Sequence, residues 1–232
     1  MSFLAFIPAR GGSKGLSGKN LIDLAGKPLI QYTIEAAKES KYINEIFISS
    51  DDEKIINFCR SLGLEVPYKR PLYLGEDKTS MIDVVLDMIS WKQSHGHELP
   101  DSIVLLQPTS PLRNSQHIDS AIEQFIQTNA NTLLSVNEMK EHPYECINLD
   151  DKRGWSYLAK PSSPASRRQD YNKIFYFING AIYIAKTYFV MAERTFIEEG
   201  ITSLFFMESD KSVDIDDIYD LKYAEILISF FI

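Results

Sequence analysis

Between Ala9 and Asn20 the chain reads Ala-Arg-Gly-Gly-Ser-Lys-Gly-Leu-Ser-Gly-Lys-Asn, with four glycines, three cations and no acidic residue. The chain as a whole carries a formal net charge of −8, so this concentration of Arg10, Lys14 and Lys19 needs a reason. Glycines let a backbone approach an anion closely, and Arg and Lys neutralise it. Polyphosphate binding is the chemistry this favours; the plainer reading is a solvated flexible loop. Spacing excludes two familiar phosphate loops. A P-loop requires glycine where Ser13 stands, and a metal-binding Ser or Thr where Asn20 stands. The dinucleotide fingerprint G-x-G-x-x-G does not occur in the segment.

Near the other end, Asp214 and Asp216 stand two apart in a segment, Val213 to Ile215, that reads as a short strand. Alternation would then send both carboxylates to one face. Such a pair suits Mg²⁺, which takes few protein carboxylates together with phosphate oxygens. It equally suits a solvated acidic turn before the last helix, with Asp217 as the N-cap. His95, His97 and Glu98 surround Gly96 after a helix and read as a solvated helix end, not a metal cluster. Cys59 and Cys146 lie far apart and suggest neither a disulfide framework nor a zinc knuckle. No His or Cys stands out as a nucleophile.

The elements that must position these groups alternate. Phe3 to Pro8 reads as a strand, Ile30 to Lys38 as a helix after Pro28, and Glu45 to Ser49 as a strand. Glu53 to Leu62 is a helix stopped by Gly63, and Met81 to Trp91 another, capped by Thr79 or Ser80. Ser102 to Leu106, Thr132 to Val136, Gly180 to Ala185 and Leu204 to Met207 read as strands. Ser115 to Ile126, Thr187 to Glu193 and Asp217 to Ile228 read as helices. Apolar strands alternating with helices predict an α/β fold: a mostly parallel sheet with helices on both faces. The glycine-rich segment then sits at the carboxyl end of the first strand, where open α/β sheets bind ligands.

From Met139 to Tyr176 this rhythm stops. The stretch holds three prolines, a turn at Asp150 to Gly154, and scattered aromatics including Tyr144, Trp155, Tyr157 and Tyr171. A helix-free stretch of this length inside a domain signals function or an interface. We read it as an antiparallel dimerisation arm, 139–176, projecting from a single domain that spans 1–232. Tyr171, Phe175, Tyr176 and Phe177 then pack against a partner subunit in preference to stacking on a base.

At 44% hydrophobic and 24% charged residues, the composition is that of a globular protein. The acidic balance disfavours a dedicated nucleic-acid binder. No apolar run reaches the ~20 residues of a membrane helix, and the apolar run from Phe3 to Ile7 has no basic stretch before it. The expected location is cytoplasmic.

Ile7-Pro8-Ala9-Arg10-Gly11-Gly12-Ser13-Lys14-Gly15 with Gly18-Lys19-Asn20 resembles the opening signature of the acylneuraminate cytidylyltransferases, which make CMP-sialic acids. Arg70-Pro71, Thr79-Ser80, Gln107-Pro108-Thr109-Ser110-Pro111-Leu112-Arg113, Asn179-Gly180-Ala181-Ile182-Tyr183 and Asp214-Ile215-Asp216 follow in that family's order. The resemblance implies a Rossmann-like nucleotidyltransferase fold, a homodimer with shared active sites, and CTP as co-substrate. It implies that Arg10, Lys14, Lys19, Asn20, Arg70 and Ser80 hold the nucleotide, and that Asp214 and Asp216 bind Mg²⁺. Arg10, Lys19 and Asp216 would be the catalytic groups. Gln107 and Tyr183 would contact a nonulosonic acid, and Arg168 would reach the partner's sugar carboxylate, with Arg167 equally placed by spacing.

Two positions depart from the family pattern: Phe177 stands where relatives carry arginine, and Tyr144 and Glu145 follow His142-Pro143 where a cation is usual. The expected reaction is CTP plus a nonulosonic acid, of the N-acetylneuraminic or legionaminic type, giving the CMP-sugar and pyrophosphate for surface glycan synthesis. The competing readings are Kdo or pseudaminic acid activation, and a non-catalytic nucleotide sensor of the same fold.

Overall fold

The computed structural model describes residues 1–13, 15–151, 153–160, 171 and 173–230. Its core is a six-stranded sheet built from β1 (Phe3–Pro8), β4 (Ile43–Ser49), β5 (Ser102–Leu105), β6 (Thr132–Glu138), β9 (Tyr176–Lys186) and β10 (Ser203–Phe206). In space the order is β10-β6-β9-β5-β1-β4. β1 pairs in parallel with β4 and β5, and β10 with β6, whereas β9 runs antiparallel to both β5 and β6. The expected mostly parallel sheet is present, with one reversed strand at its centre. A two-stranded turn, β2 (Asp23–Leu24) and β3 (Lys27–Pro28), precedes the first helix.

Alternation along β1 shows why helices cover both faces. Phe3, Ala5 and Ile7 join one core with α1 (Leu29–Glu39), α2 (Glu53–Ser61) and α4 (Ser115–Thr128). Leu4 and Phe6 point the other way, into a core with α3 (Met81–Ser94) and α5 (Thr187–Glu193). All five of these strand residues are essentially buried. A third, smaller cluster joins Leu24, Leu29 and Leu112 to Val213, Ile215 and Leu221, seating α6 (Ile218–Ser229) beside the carboxyl ends of the strands.

Helix starts follow the capping residues. Ser80 accepts from the Asp83 amide, and Asp217 accepts from Tyr219 and Asp220 while Asp220 reaches back to the Asp217 amide. Asp52, which the sequence reading did not single out, caps α2.

One segment differs from expectation. Val213 to Ile215 is not a strand: it is an extended strip held by a single backbone bond from Ile215 to the Thr109 carbonyl, 2.8 Å. Short apolar alternation there reflects packing of Val213 and Ile215 into the third cluster, not a ladder.

The 139–176 stretch contains a hairpin of β7 (Ile147–Leu149) and β8 (Trp155–Tyr157), closed where Asp150 and Gly154 bond to each other. Trp155 and Tyr157 are exposed. Tyr144 corrects the expectation: it is 9% exposed, packed with the rings of His142, Tyr171 and Phe175. Its aromatic surface is spent within the chain.

Candidate active site

A cavity of about 450 Å³ opens at the carboxyl ends of β1 and β5. It is lined by Arg10, Lys19, Asn20, Arg70, Gln107, Asp214 and Asp216, residues drawn from nearly the whole length of the chain. Seven of the expected site residues therefore meet. The remaining wall comes from Pro8, Ser13, Gly15, Met81, Pro108 and Thr109.

The glycine-rich segment owes its course to close backbone contacts. A side chain on Gly11 would collide with Asp52 at 2.8 Å, and one on Gly15 would meet the Asp216 carbonyl at 2.2 Å. Gly18 takes a left-handed conformation, φ 65°, that turns the chain toward Lys19. Asn20 is buried, and its Nδ2 donates to the Arg10 carbonyl at 2.9 Å. Part of the hydrogen-bonding capacity expected for nucleotide thus holds the loop itself.

The cations are arranged against carboxylates. Lys19 Nζ donates to the Ile215 carbonyl at 2.8 Å and to Asp216 Oδ1 at 3.0 Å. Arg10 reaches the Gly75 carbonyl at 3.3 Å and Asp77 Oδ1 at 3.0 Å. Arg70 is 3% exposed and clamps Ser49 through its side-chain and backbone oxygens. Burial pulls its guanidinium below the usual arginine range, against the opposing pull of Asp51. Burial also raises the Asp214 carboxyl, as do the negative charges of Asp216 and Asp220, while the Thr109 hydroxyl and Lys19 work against the shift. An acidic pair in this setting gains from a cation.

Other expected residues stand apart from this cavity. The Ser80 hydroxyl serves α3, accepting from the Asp83 amide and donating to the Asp83 carboxylate at 2.6 Å; its neighbour Met81 lines the wall. Tyr183 packs edge-on against Phe196 at 6.2 Å lower on β9. Its hydroxyl is raised by burial and by the charge of Asp214. Lys14, Arg167 and Arg168 lie outside the described residues. His95 and His97 stack on Trp91 at 4.5 and 5.3 Å, both exposed, as a solvated helix end does.

Two positioning residues carry more than the sequence reading gave them. Asp51 Oδ1 accepts from the Gly11 amide at 2.9 Å, and its other oxygen fills the space a Gly75 side chain would take. It ties the phosphate-side loop to the 72–75 turn. Its place just past a parallel strand was the available signal. Arg113, 1% exposed, donates to the carbonyls of Gln107 and Ala181 and to the Thr33 hydroxyl. The Ala181 carbonyl is free to accept because β9 bulges between Ile178 and Tyr183, with Gly180 at φ 74°. The same bulge sends Asn179 to bond Ser135 and Ser212, the latter two residues before Asp214.

A family model described as cytidylyltransferase matches residues 4–211. The chain belongs to the cytidylyltransferase family. It is 36% identical over 227 residues to a pseudaminic acid cytidylyltransferase of Campylobacter jejuni, covering 98% of this chain and 96% of that one. It is 36% identical over 218 residues to an N-acylneuraminate cytidylyltransferase of Streptococcus agalactiae, covering 93% of this chain and 51% of that longer one. A solved CMP:2-keto-3-deoxy-manno-octonic acid synthetase complexed with CTP has the same fold, with a TM-score of 0.72 at 17% identity and full coverage of both chains. In this cytidylyltransferase, Arg10, Lys19 and Arg70 meet two aspartates in one cavity. Among the described residues, no helix is long and apolar enough to cross a membrane.

Proposed function

We propose that this cytidylyltransferase joins CTP to a nonulosonic acid of the sialic or legionaminic type, releasing pyrophosphate. The observation that carries the reading is the one cavity whose lining Arg10, Lys19 and Arg70 share with the Asp214–Asp216 pair and Gln107. Arg10, Lys14, Lys19 and Arg70 would neutralise the triphosphate, and Asn20 would hold the loop that presents it. The anomeric oxygen bonds to the α-phosphorus as the bond to the β-phosphate oxygen breaks. Its proton passes to solvent and the pyrophosphate leaves.

The acidic pair fits Mg²⁺: two carboxylates on a short exposed strip leave room for phosphate and water ligands. When bound, the ion would withdraw charge from the reacting phosphate. Gln107 and Tyr183 are proposed sugar contacts, with Asp214 acting on both regions. Arg168 of one subunit would serve the partner's sugar carboxylate, so the functional unit is a cytoplasmic homodimer joined through the 139–176 arm.

Pseudaminic acid is the second reading, favoured by the Campylobacter relative. Pyrophosphate release should be assayed with CTP or ATP against N-acetylneuraminic, legionaminic, pseudaminic and Kdo acids. CTP-dependent, Mg²⁺-dependent turnover of a nonulosonic acid, with little from ATP or Kdo, is expected. Equal or faster turnover of Kdo overturns the reading, as does binding of CTP without turnover of any acid.

A further inference from the structure

β4 lies at the edge of the sheet, and the chain passes its carboxyl end again as an extended strip at residues 65–70. Glu65, Pro67 and Lys69 are exposed there, whereas Val66, Tyr68 and Arg70 are buried. The Arg70 amide fixes the strip by donating to the Ser50 carbonyl at 2.8 Å. Two pairs of side chains then meet: the Phe47 and Tyr68 rings lie 5.2 Å apart, and Ser49 bonds to Arg70. Phe47 and Ser49 are two residues apart, as are Tyr68 and Arg70, so the aromatic pair and the polar pair are neighbours.

Charge decides what this arrangement does. Arg70 Nε donates to Ser49 Oγ at 2.9 Å, and Nη2 to the Ser49 carbonyl at 2.5 Å. Buried as it is, Arg70 makes no ion pair among the described residues. On α3, Asp87 is half-buried and makes none among them either. Its carboxylate accepts from the buried hydroxyl of Tyr68. Withdrawing a charge from water without a partner is costly, and Arg70 and Asp87 both carry that cost. Tyr68 connects them. Burial and Asp87 push its phenol up, while the Ser49 hydroxyl and the Arg70 charge pull it down. Burial likewise works against the Arg70 charge, and Asp51 and Asp87 support it. Phenylalanine would pack between Phe47 and Trp91 as well as tyrosine does, so what the hydroxyl adds is its bond.

We propose that Asp87, acting through the Tyr68 hydroxyl, is a positioning residue for Arg70: it anchors the strip that aims the guanidinium at the nucleotide and supplies the negative charge that balances it. The inference rests on the reading of Arg70 as a nucleotide contact. Neither Tyr68 nor Asp87 lines the cavity that Arg70 lines, so their effect on a ligand there passes through Arg70. A chain of hydrogen-bonded groups in a buried setting transmits such an effect better than an exposed one.

The test is CTP binding, measured by calorimetry with Mg²⁺ and without any acid, on Tyr68→Phe and Asp87→Asn. The first keeps the ring and its packing, and the second keeps an acceptor at a half-buried position, so both variants should fold. Each should raise the Kd for CTP about fivefold, within the range of one lost hydrogen bond to a charged group. The double variant should bind within about twofold of either single one, because both changes act on one interaction. Arg70→Lys cannot hold Ser49 with two nitrogens; on that background Tyr68→Phe should shift the Kd by less than about twofold. A role in packing alone would lower Tm and leave the Kd unchanged, and that result in either variant overturns the inference. So does an additive double variant, or a full effect of Tyr68→Phe on the Arg70→Lys background. The proposed function survives each of these results, since none bears on turnover. Conversely, CTP binding without turnover of any acid removes the proposed function and leaves this inference standing.

Discussion

A Cβ on Gly15 would stand 2.2 Å from the carbonyl oxygen of Asp216, so the glycine-rich loop and the acidic pair meet backbone to backbone. Neither side has a flexible group that could swing away. Gly15→Ala must therefore displace the loop, the Asp216 segment, or both, a strain on the scale of overpacking a core. We expect kcat/KM for CTP to fall about tenfold or more with little change in circular dichroism. Wild-type kinetics would show that this approach does not position the site.

Asp214→Asn and Asp216→Asn test the acidic pair. Each should cut turnover by about 10²-fold or more, the scale of losing an electrostatic stabiliser, and should weaken Mg²⁺ dependence. Thermal stability should change little, because both carboxylates line the cavity and neither belongs to the apolar core. If both variants keep full activity and an unchanged Mg²⁺ requirement, the pair does not hold the ion.

Cys59 is fully buried in the core of α2, and burial pushes its thiol from 9.0 up to about 11. Below the unfolded value both states keep the proton, and the contribution to stability is complete. As pH rises from there toward the folded value, the unfolded chain loses its proton first and stability falls. The Tm advantage of wild type over Cys59→Ala should narrow between about pH 9 and about pH 11. A gap that is constant with pH would show that the thiol does not titrate differently on unfolding.

The arm makes its own demand. Ile147, Leu149, Trp155, Tyr157 and Leu158 are all exposed, an apolar grouping that an isolated subunit rarely presents. A two-fold dimer would bury it against a second copy. Sedimentation should give a dimer, and mixing Arg168→Ala with Asp216→Asn should restore part of the activity after subunit exchange. A fully active monomer excludes the interface; a proven heterodimer without recovery excludes Arg168 from the partner's site.

The sequence was most informative where chemistry is local. Arg10, Lys19 and Asn20 could be read from one twelve-residue segment, and Asp217 from its place before an apolar run. What periodicity does not encode is direction: β9 is as apolar as its neighbours, and nothing in Gly180 to Ala185 announces that it runs the other way. Nor does periodicity distinguish a paired strand from an extended strip, which is why Val213 to Ile215 misled. Asp51 escaped because its value lies in two glycines, Gly11 and Gly75, that the fold alone brings to it. Arg113 was read within a motif, but its use depends on a bulge in another strand.

The reversed course of β9 has a consequence for how such a molecule changes over time. β6 leaves the sheet at the active-site end and β9 re-enters at that same end. Glu138 pairs with Tyr176, and Met139 donates to the Phe175 carbonyl at 2.9 Å. The excursion is therefore a graft on a closed stem. Insertions, deletions or a new surface beyond Met139 need not propagate into the sheet, because the stem already satisfies its own backbone. Substitutions at the stem itself fall on Asn137 and Phe177, which share with Asp214 the lining of a cavity of about 400 Å³. The surface of the excursion can therefore diverge while the sheet beneath it keeps its course.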